Sequence, residues 1–443
     1  MPTDAPQDSS RLQALQDACV DRFLRYVRID TTAAESSDTY PSTPGQLELL
    51  RLLRDELDAL GLDDVVMDEH GTVTATVPAS IGRGAVPHGA VPERLDLPAI
   101  GFIAHVDTSP DVSGADVKPI VHRDYDGRRI VLPDEPTPGE PTVLDPADDA
   151  ALAAAAGHTI VTASGTTLLG GDDKAGVAEI VAAAEYLLGH PEIPYGPIRL
   201  AFTPDEEVGR STQHFDVEAF GARCAYTLDG GGHGEVEIES FAADSLDLTF
   251  RGHNVHPGYA KGILVNAVKV AADFLGRLPA DRLSPETTDG MDGYVHPNGI
   301  EGSVEQATIR FLLRSFDADE LRRQETMLRE LAAATVADWP GATFDVVVSE
   351  TYRNMREVLD RHPEVVEIAD EAMRRVGLEP GRRPIRGGTD GSKLSFDGLP
   401  TPNLSSGQHA IHSRREWVDA WEMGKAAEVI VEICRLFGRR ATS

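Results

Sequence analysis

The chain has 443 residues, 41% of them hydrophobic and 26% charged, and a formal net charge of -32. That length exceeds one compact core and points to two domains, and the acidity argues against nucleic acid and anionic membranes as partners, since both are polyanions. Three cysteines, Cys19, Cys224 and Cys434, include no CxxC pair, so they form neither a disulfide framework nor a thiolate zinc site and suit a reducing cytoplasm.

The opening MPTDAPQDSS has neither the basic nor the apolar region of a signal peptide and reads as a disordered tail. No apolar run approaches the ~20 residues that span a bilayer. Leu12, Leu15, Cys19, Phe23, Leu24 and Val27 recur at helical spacing. A Ser/Thr/Pro/Gly loop over 36–45 precedes a second amphipathic helix over 47–60, which Gly61 ends. Residues 65–77 read as extended, and the Gly- and Pro-rich stretch 82–92 as a surface loop. The run IGFIAHVD from Ile100, and the segments 198–203 and 225–228, are short and apolar with polar ends, as buried strands of a mainly parallel sheet are. Helical patterns cover 174–188 and 365–372. This alternation implies an α/β core.

Between about 245 and 350 the pattern changes. It predicts strand 246–250, helix 264–278, strand 302–306, strand 308–315, helix 318–337 and strand 343–348, with 284–297 a polar loop. That βαββαβ order is the ferredoxin-like arrangement. The expected organisation is a mainly parallel-sheet α/β catalytic domain (11–240 and 353–443) with an inserted ferredoxin-like α+β domain (241–352).

Five segments concentrate metal-capable groups at strand ends. In His105-Val-Asp107, a carboxylate two residues on can hold the second ring nitrogen of an imidazole that faces a metal; alone, a capped strand end is the plainer account. In Gly170-Gly171-Asp172-Asp173-Lys174, adjacent carboxylates repel unless a cation offsets them; alone, it could equally be an acidic first helical turn. In Thr203-Pro204-Asp205-Glu206-Glu207, three acids follow a buried strand, and adjacent carboxylates suit a division between metal ligation and proton transfer. Asp229 closes another apolar strand before three glycines. The fifth, His409-Ala-Ile-His412-Ser-Arg-Arg-Glu416-Trp417, is weak by itself. Together, two His and three or more Asp/Glu suit two zinc-like ions, whereas all-oxygen sites would suit magnesium or calcium.

The chain resembles the M20 zinc metallopeptidases, and within them the tripeptide aminopeptidases. The segments that carry the resemblance include IGFIAHVDTSPD from Ile100, LLGGDDKAGVAEI from Leu168, FTPDEEVG from Phe202, HFDVEAF from His214, VHPGYAKG from Val255 and PIRGGTDGSKLSFDGLPTPN from Pro384. The resemblance implies two Zn2+ ions per subunit. One would be held by His105, Asp172 and Asp229, the other by Asp172, Glu207 and His412, with Asp172 shared. It also implies a cis Asp172–Asp173 bond, Asp107 orienting His105, and Glu206 as general base toward a water bridging the ions. His256 would donate to the oxyanion, within one chain or across a possible homodimer. Arg314 is a candidate for the carboxylate of a short peptide substrate, as a guanidinium suits bidentate binding; a surface or interdomain salt bridge is the alternative. The expected activity is release of the N-terminal residue from short peptides, tripeptides above all, in the cytoplasm. A dipeptidase or an N-acyl amino acid deacylase of the same family is the alternative. Two departures concern the rim: Ser413 stands where the family has glycine after the last ligand histidine, and 82–96 is longer than expected.

Overall fold

The computed structural model describes residues 5–81 and 98–442. The expected surface loop at 82–92, the long segment 82–96 and the first four residues of the expected tail lie outside them. Residues 5–10 are not tail but the start of a helix, Ala5–Tyr26. Pro6 sits in its first turn, where a missing N–H costs nothing, and Arg11 bonds Glu428 and Glu432 of the helix Ala420–Thr442.

The chain divides into two compact units. The first comprises 1–238, 358–383 and 394–443. Its sheet has seven strands in the order Asp63–Met67, Val73–Val77, Ile198–Thr203, Ala99–His105, Ala222–Gly230, Asn403–Ser405, Val236–Glu237. The four strands from Ile198–Thr203 to Asn403–Ser405 run parallel; the three outer strands pair antiparallel. The parallel strands are apolar nearly throughout, as a sheet covered on both faces requires. The helix Pro44–Leu60 buries Leu49, Leu50, Leu53 and Leu57 and stops at Gly61, whose φ of 81° is the left-handed geometry of a helix end. The helix Gly171–Gly189 is buried on nearly every side. It can lie close to strand Ala222–Gly230 because residue 176 is glycine: a Cβ there would collide with the Leu228 carbonyl. A second, four-stranded sheet joins Gln408–His409, Trp417–Asp419, Ile160–Thr162 and Ile120–His122. Strands of two or three residues are too short to show a period in the sequence.

The second unit comprises 239–357 with 384–393. Its antiparallel sheet orders Tyr294–Gly302, Gln306–Ser315, Ala242–Arg251 and Thr343–Tyr352, and carries helices Ala267–Gly276 and Ala318–Ala337. The βαββαβ order is as read from the sequence, but one strand is misplaced there. Residues 303–305 are the turn of a hairpin, and the preceding strand occupies 294–302, part of which reads as loop. Pro297 and Gly299 hide it, and the pairing shifts register between them. Proline is tolerated because this is an edge strand, where a missing N–H breaks no ladder on the open side.

Candidate metal centre

Neighbouring parallel strands end at the same edge of their sheet, and the crevice beyond their carboxyl ends is where such sheets gather ligands. His105 is the last residue of Ala99–His105, Glu206 and Glu207 follow Ile198–Thr203, and Asp229 lies one residue from the end of Ala222–Gly230. Asp172 enters from the first turn of helix Gly171–Gly189, and His412 from the loop after Gln408–His409.

These side chains meet in two groups that share one residue. His105, Asp172 and Asp229 form the first; Asp172, Glu207 and His412 form the second; within each, one ligand atom per residue lies within 4.8 Å of the others. His105 Nε2 is 3.0 Å from Asp172 Oδ1 and 3.8 Å from Asp229 Oδ1. His412 Nε2 is 3.2 Å from Asp172 Oδ2 and 3.1 Å from Glu207 Oε2. The two oxygens of Asp172 thus face opposite ways, one to each imidazole. The Asp172–Asp173 peptide bond is cis.

The supports are mostly backbone bonds to buried carboxylates. Asp107, wholly buried, accepts the Glu206 N–H on Oδ1 at 2.9 Å and the Glu207 N–H on Oδ2 at 3.0 Å. Its backbone carbonyl accepts from His105 Nδ1 at 3.1 Å, while its Oδ1 is 3.4 Å from that nitrogen. Asp205 faces away from the centre. Its carboxylate takes the Ser42 N–H and hydroxyl, Gln46 Nε2 and Arg210, and holds Asp205 at a φ of 60°. That left-handed geometry costs a non-glycine residue about 1–3 kcal/mol. His412 has a φ of 56°, and its Nδ1 is 3.3 Å from Asp111 Oδ2. Gln408 Nε2 donates to Asp229 Oδ1 at 3.2 Å, and the Asp229 N–H donates to Asn403 at 3.0 Å.

The electrostatics are those of a crowded anion cluster. Hydrogen bonds to Asp172 and Glu207 push the His412 imidazole up to about 11. Burial pulls the His105 imidazole down, but bonds to Asp107, Asp172 and Asp229 outweigh it and leave it well above the ordinary range. Burial raises Asp229 to about 6 and Glu207 to about 7, with the Asp172 charge adding to each. Asp172 is buried too, yet its bonds to His105 and His412 hold it below the usual carboxylate range. Glu207 Oε1 is buried with no hydrogen-bond partner among the described residues. Two imidazoles and three carboxylates, one of them with an orphaned oxygen, are a donor set that fits two divalent, zinc-like cations, which would take the place of protons.

His256 and Arg314 belong to the other unit. His256 is exposed and its Nδ1 accepts the Gly258 N–H at 3.2 Å, which leaves the proton of a neutral ring on Nε2. Arg314 packs its guanidinium 5.4 Å from the Tyr352 ring and donates to the Leu313 carbonyl at 2.9 Å. Sequence reasoning assigned no role to Asp205, Asn403, Gln408 or Glu416. Asp205 and Glu416 carried a visible signal, the first as one of three acids after a buried strand, the second as an acid four residues after His412 and beside a tryptophan.

The family model described as Peptidase family M20/M25/M40 matches residues 137–436. A peptidase T of Geobacillus kaustophilus is 45% identical over 428 residues, covering 97% of this chain and 100% of that one. A peptidase T of Listeria monocytogenes serotype 4a is 44% identical over 423 residues, covering 96% and 99%. Among solved structures, aminopeptidase PepT of Bacillus cereus superposes with a TM-score of 0.70 at 24% identity, covering 95% of this chain and 98% of that one. The YXEP protein of Bacillus subtilis, described as a dinuclear metal-binding peptidase from the M20 family, gives 0.62 at 12% identity, covering 96% and 98%. At these identities the structural likeness speaks for the fold.

Proposed function

Because the chain belongs to peptidase family M20/M25/M40 and is a peptidase, we propose that it is a two-zinc aminopeptidase that releases the N-terminal residue of short peptides, preferentially tripeptides. The observation that carries the metal reading is the pair of ligand groups sharing Asp172. The peptidase T relatives, covered over 99–100% of their length, support the substrate class.

In this reading His105, Asp172 and Asp229 hold one ion, and Asp172, Glu207 and His412 the other. Bound there, a cation pair acidifies a water and polarises a carbonyl. The chain's own residues do the rest. Glu206 takes the proton of the attacking water and returns it to the leaving amine. Asp107 keeps Glu206 and Glu207 in register by holding both backbone N–H groups. His256 offers Nε2–H to the developing oxyanion, and Arg314 takes the peptide's terminal carboxylate. The catalytic domain is proposed as 11–240 with 353–443 and the inserted one as 241–352, which carries His256 and Arg314, although residues 353–357 and 384–393 group with the second compact unit. No helix among the described residues is long and apolar enough to cross a membrane, and three buried free cysteines fit a cytoplasmic protein.

The test is a panel of di-, tri- and tetrapeptides, with free, N-blocked and C-amidated ends, assayed before chelation, after it, and after zinc is restored. The expected result is cleavage of free tripeptides above all others, loss on chelation and recovery with zinc. Cleavage confined to dipeptides, or of N-acyl amino acids only, would replace the proposal with the dipeptidase or deacylase reading. An amidated tripeptide cleaved as well as the free acid would remove the role of Arg314.

A further inference from the structure

We propose that Glu416 is a positioning residue, whose buried carboxylate holds the 169–172 turn so that Asp172 can face His105 and His412 at once. The inference rests on the two-metal reading and extends it to a residue outside the ligand set.

Glu416 Oε2 accepts the backbone N–H groups of Leu169 at 2.6 Å and Gly170 at 2.8 Å, and Oε1 accepts that of Asp172 at 3.1 Å. The residue is 1% exposed, and the partners of its carboxylate among the described residues are these three backbone N–H groups. A buried carboxylate is costly unless its lone pairs find donors, and here three backbone donors from the turn that leads into helix Gly171–Gly189 supply them. Glycine eases this close approach of the turn. Gly170 has a φ of 85°, and a Cβ on Gly171 would lie 3.2 Å from Glu416 Oε1 and 3.0 Å from Val418 Cγ1.

The consequence follows from where the two ends of this clamp lie. Glu416 and His412 share one short segment, while Asp172 lies 240 residues before His412. One carboxylate therefore fixes the backbone of the shared ligand to the segment that supplies the second histidine. Glu416 acts through the Asp172 N–H and not through any ligand atom. Losing such a support typically weakens metal binding by about 10–100-fold.

The experiment uses the full chain, stripped of metal by chelation and titrated with zinc by calorimetry well below its unfolding temperature. Two variants separate reach from charge: Glu416→Gln keeps the shape and loses the charge, and Glu416→Asp keeps the charge and retracts it by one methylene. Both are expected to bind the zinc pair about 10–100-fold more weakly, with kcat lowered, KM unchanged and kcat partly restored by excess zinc. If Glu416→Gln does not fold, Glu416→Asp alone decides. Wild-type zinc affinity in Glu416→Asp overturns the proposal, as does a lowered unfolding midpoint in both variants with zinc affinity intact, the mark of a merely structural role. A wild-type protein that binds no zinc pair would instead overturn the two-metal reading on which this one stands.

Discussion

Asp107→Asn tests the support beneath Glu206 and Glu207. Asp107 is wholly buried, and each of its oxygens accepts one backbone N–H, from Glu206 at 2.9 Å and Glu207 at 3.0 Å. Asparagine has the same shape but only one acceptor. Its amide nitrogen would face the second N–H, donor against donor. Leaving that buried donor unpaired costs about 1–3 kcal/mol, and the surviving bond, no longer charge-assisted, loses roughly another 1 kcal/mol. The sum is about 2–4 kcal/mol, or about 30- to 1000-fold at 1.4 kcal/mol per factor of ten. The loss can appear as a less stable protein or as a turn that no longer presents Glu206 and Glu207. Urea unfolding, zinc content and kcat/KM for a tripeptide, all measured on one preparation, divide it between these. A variant with the wild-type urea midpoint and wild-type kcat/KM would refute the reasoning. Loss of both zinc ions would move the effect from the turn to the ligands.

Glu206→Gln should lower kcat by ~10²–10⁴-fold with zinc content unchanged; zinc lost together with activity would sink its assignment as the base. His256→Ala should lower kcat by ~10²–10³-fold, again with zinc retained. Activity recovered on mixing it with Glu206→Gln would show donation between chains, and a fully active His256→Ala would end the role. Gly176→Ala would drive a Cβ into the Leu228 carbonyl and against Asp173 Oδ1, so urea unfolding should register about 1–3 kcal/mol of destabilisation; an unchanged midpoint would mean that the helix and strand yield freely. Glu179 is wholly buried with neither carboxyl oxygen hydrogen-bonded among the described residues, and burial, with the Glu422 charge, pushes it well above 4.5. A carboxyl whose folded value is raised favours the folded state at low pH and loses that advantage as pH climbs from its unfolded value through its folded one. Glu179→Gln should therefore gain stability over the wild type above about pH 4.5, and parallel stability–pH curves would contradict this.

Much of the centre was legible because buried strands announce themselves. IGFIAH and IRLAFT are apolar runs that stop at polar residues; one metal-capable residue at such a stop can be a strand cap, but several such stops in one chain point to a shared site. The helix over Pro44–Leu60 was legible from its period and from Gly61. The strand over Tyr294–Gly302 was not, because an edge position tolerates a proline and a register shift that erase the alternation. The first helix extends to Ala5 through residues whose polarity reads as tail; its tie to the last helix lies more than 400 positions away in the sequence.

The sequence by itself determined the chemistry on offer: which residues could bind a divalent ion, their order along the chain, and the α/β frame with its ferredoxin-like insertion. Period, apolar runs and residue type are local properties, and a local reading recovers them. Only the tertiary structure decided that Asp205 turns to Ser42 and Gln46, and that Asp107, Asn403 and Glu416 bind backbone N–H groups beside the candidate ligands. The physical reason is that a buried carboxylate's role is set by what fills its lone pairs. Those donors come from segments up to 247 residues away along the chain, so no window of sequence contains both ends of the bond.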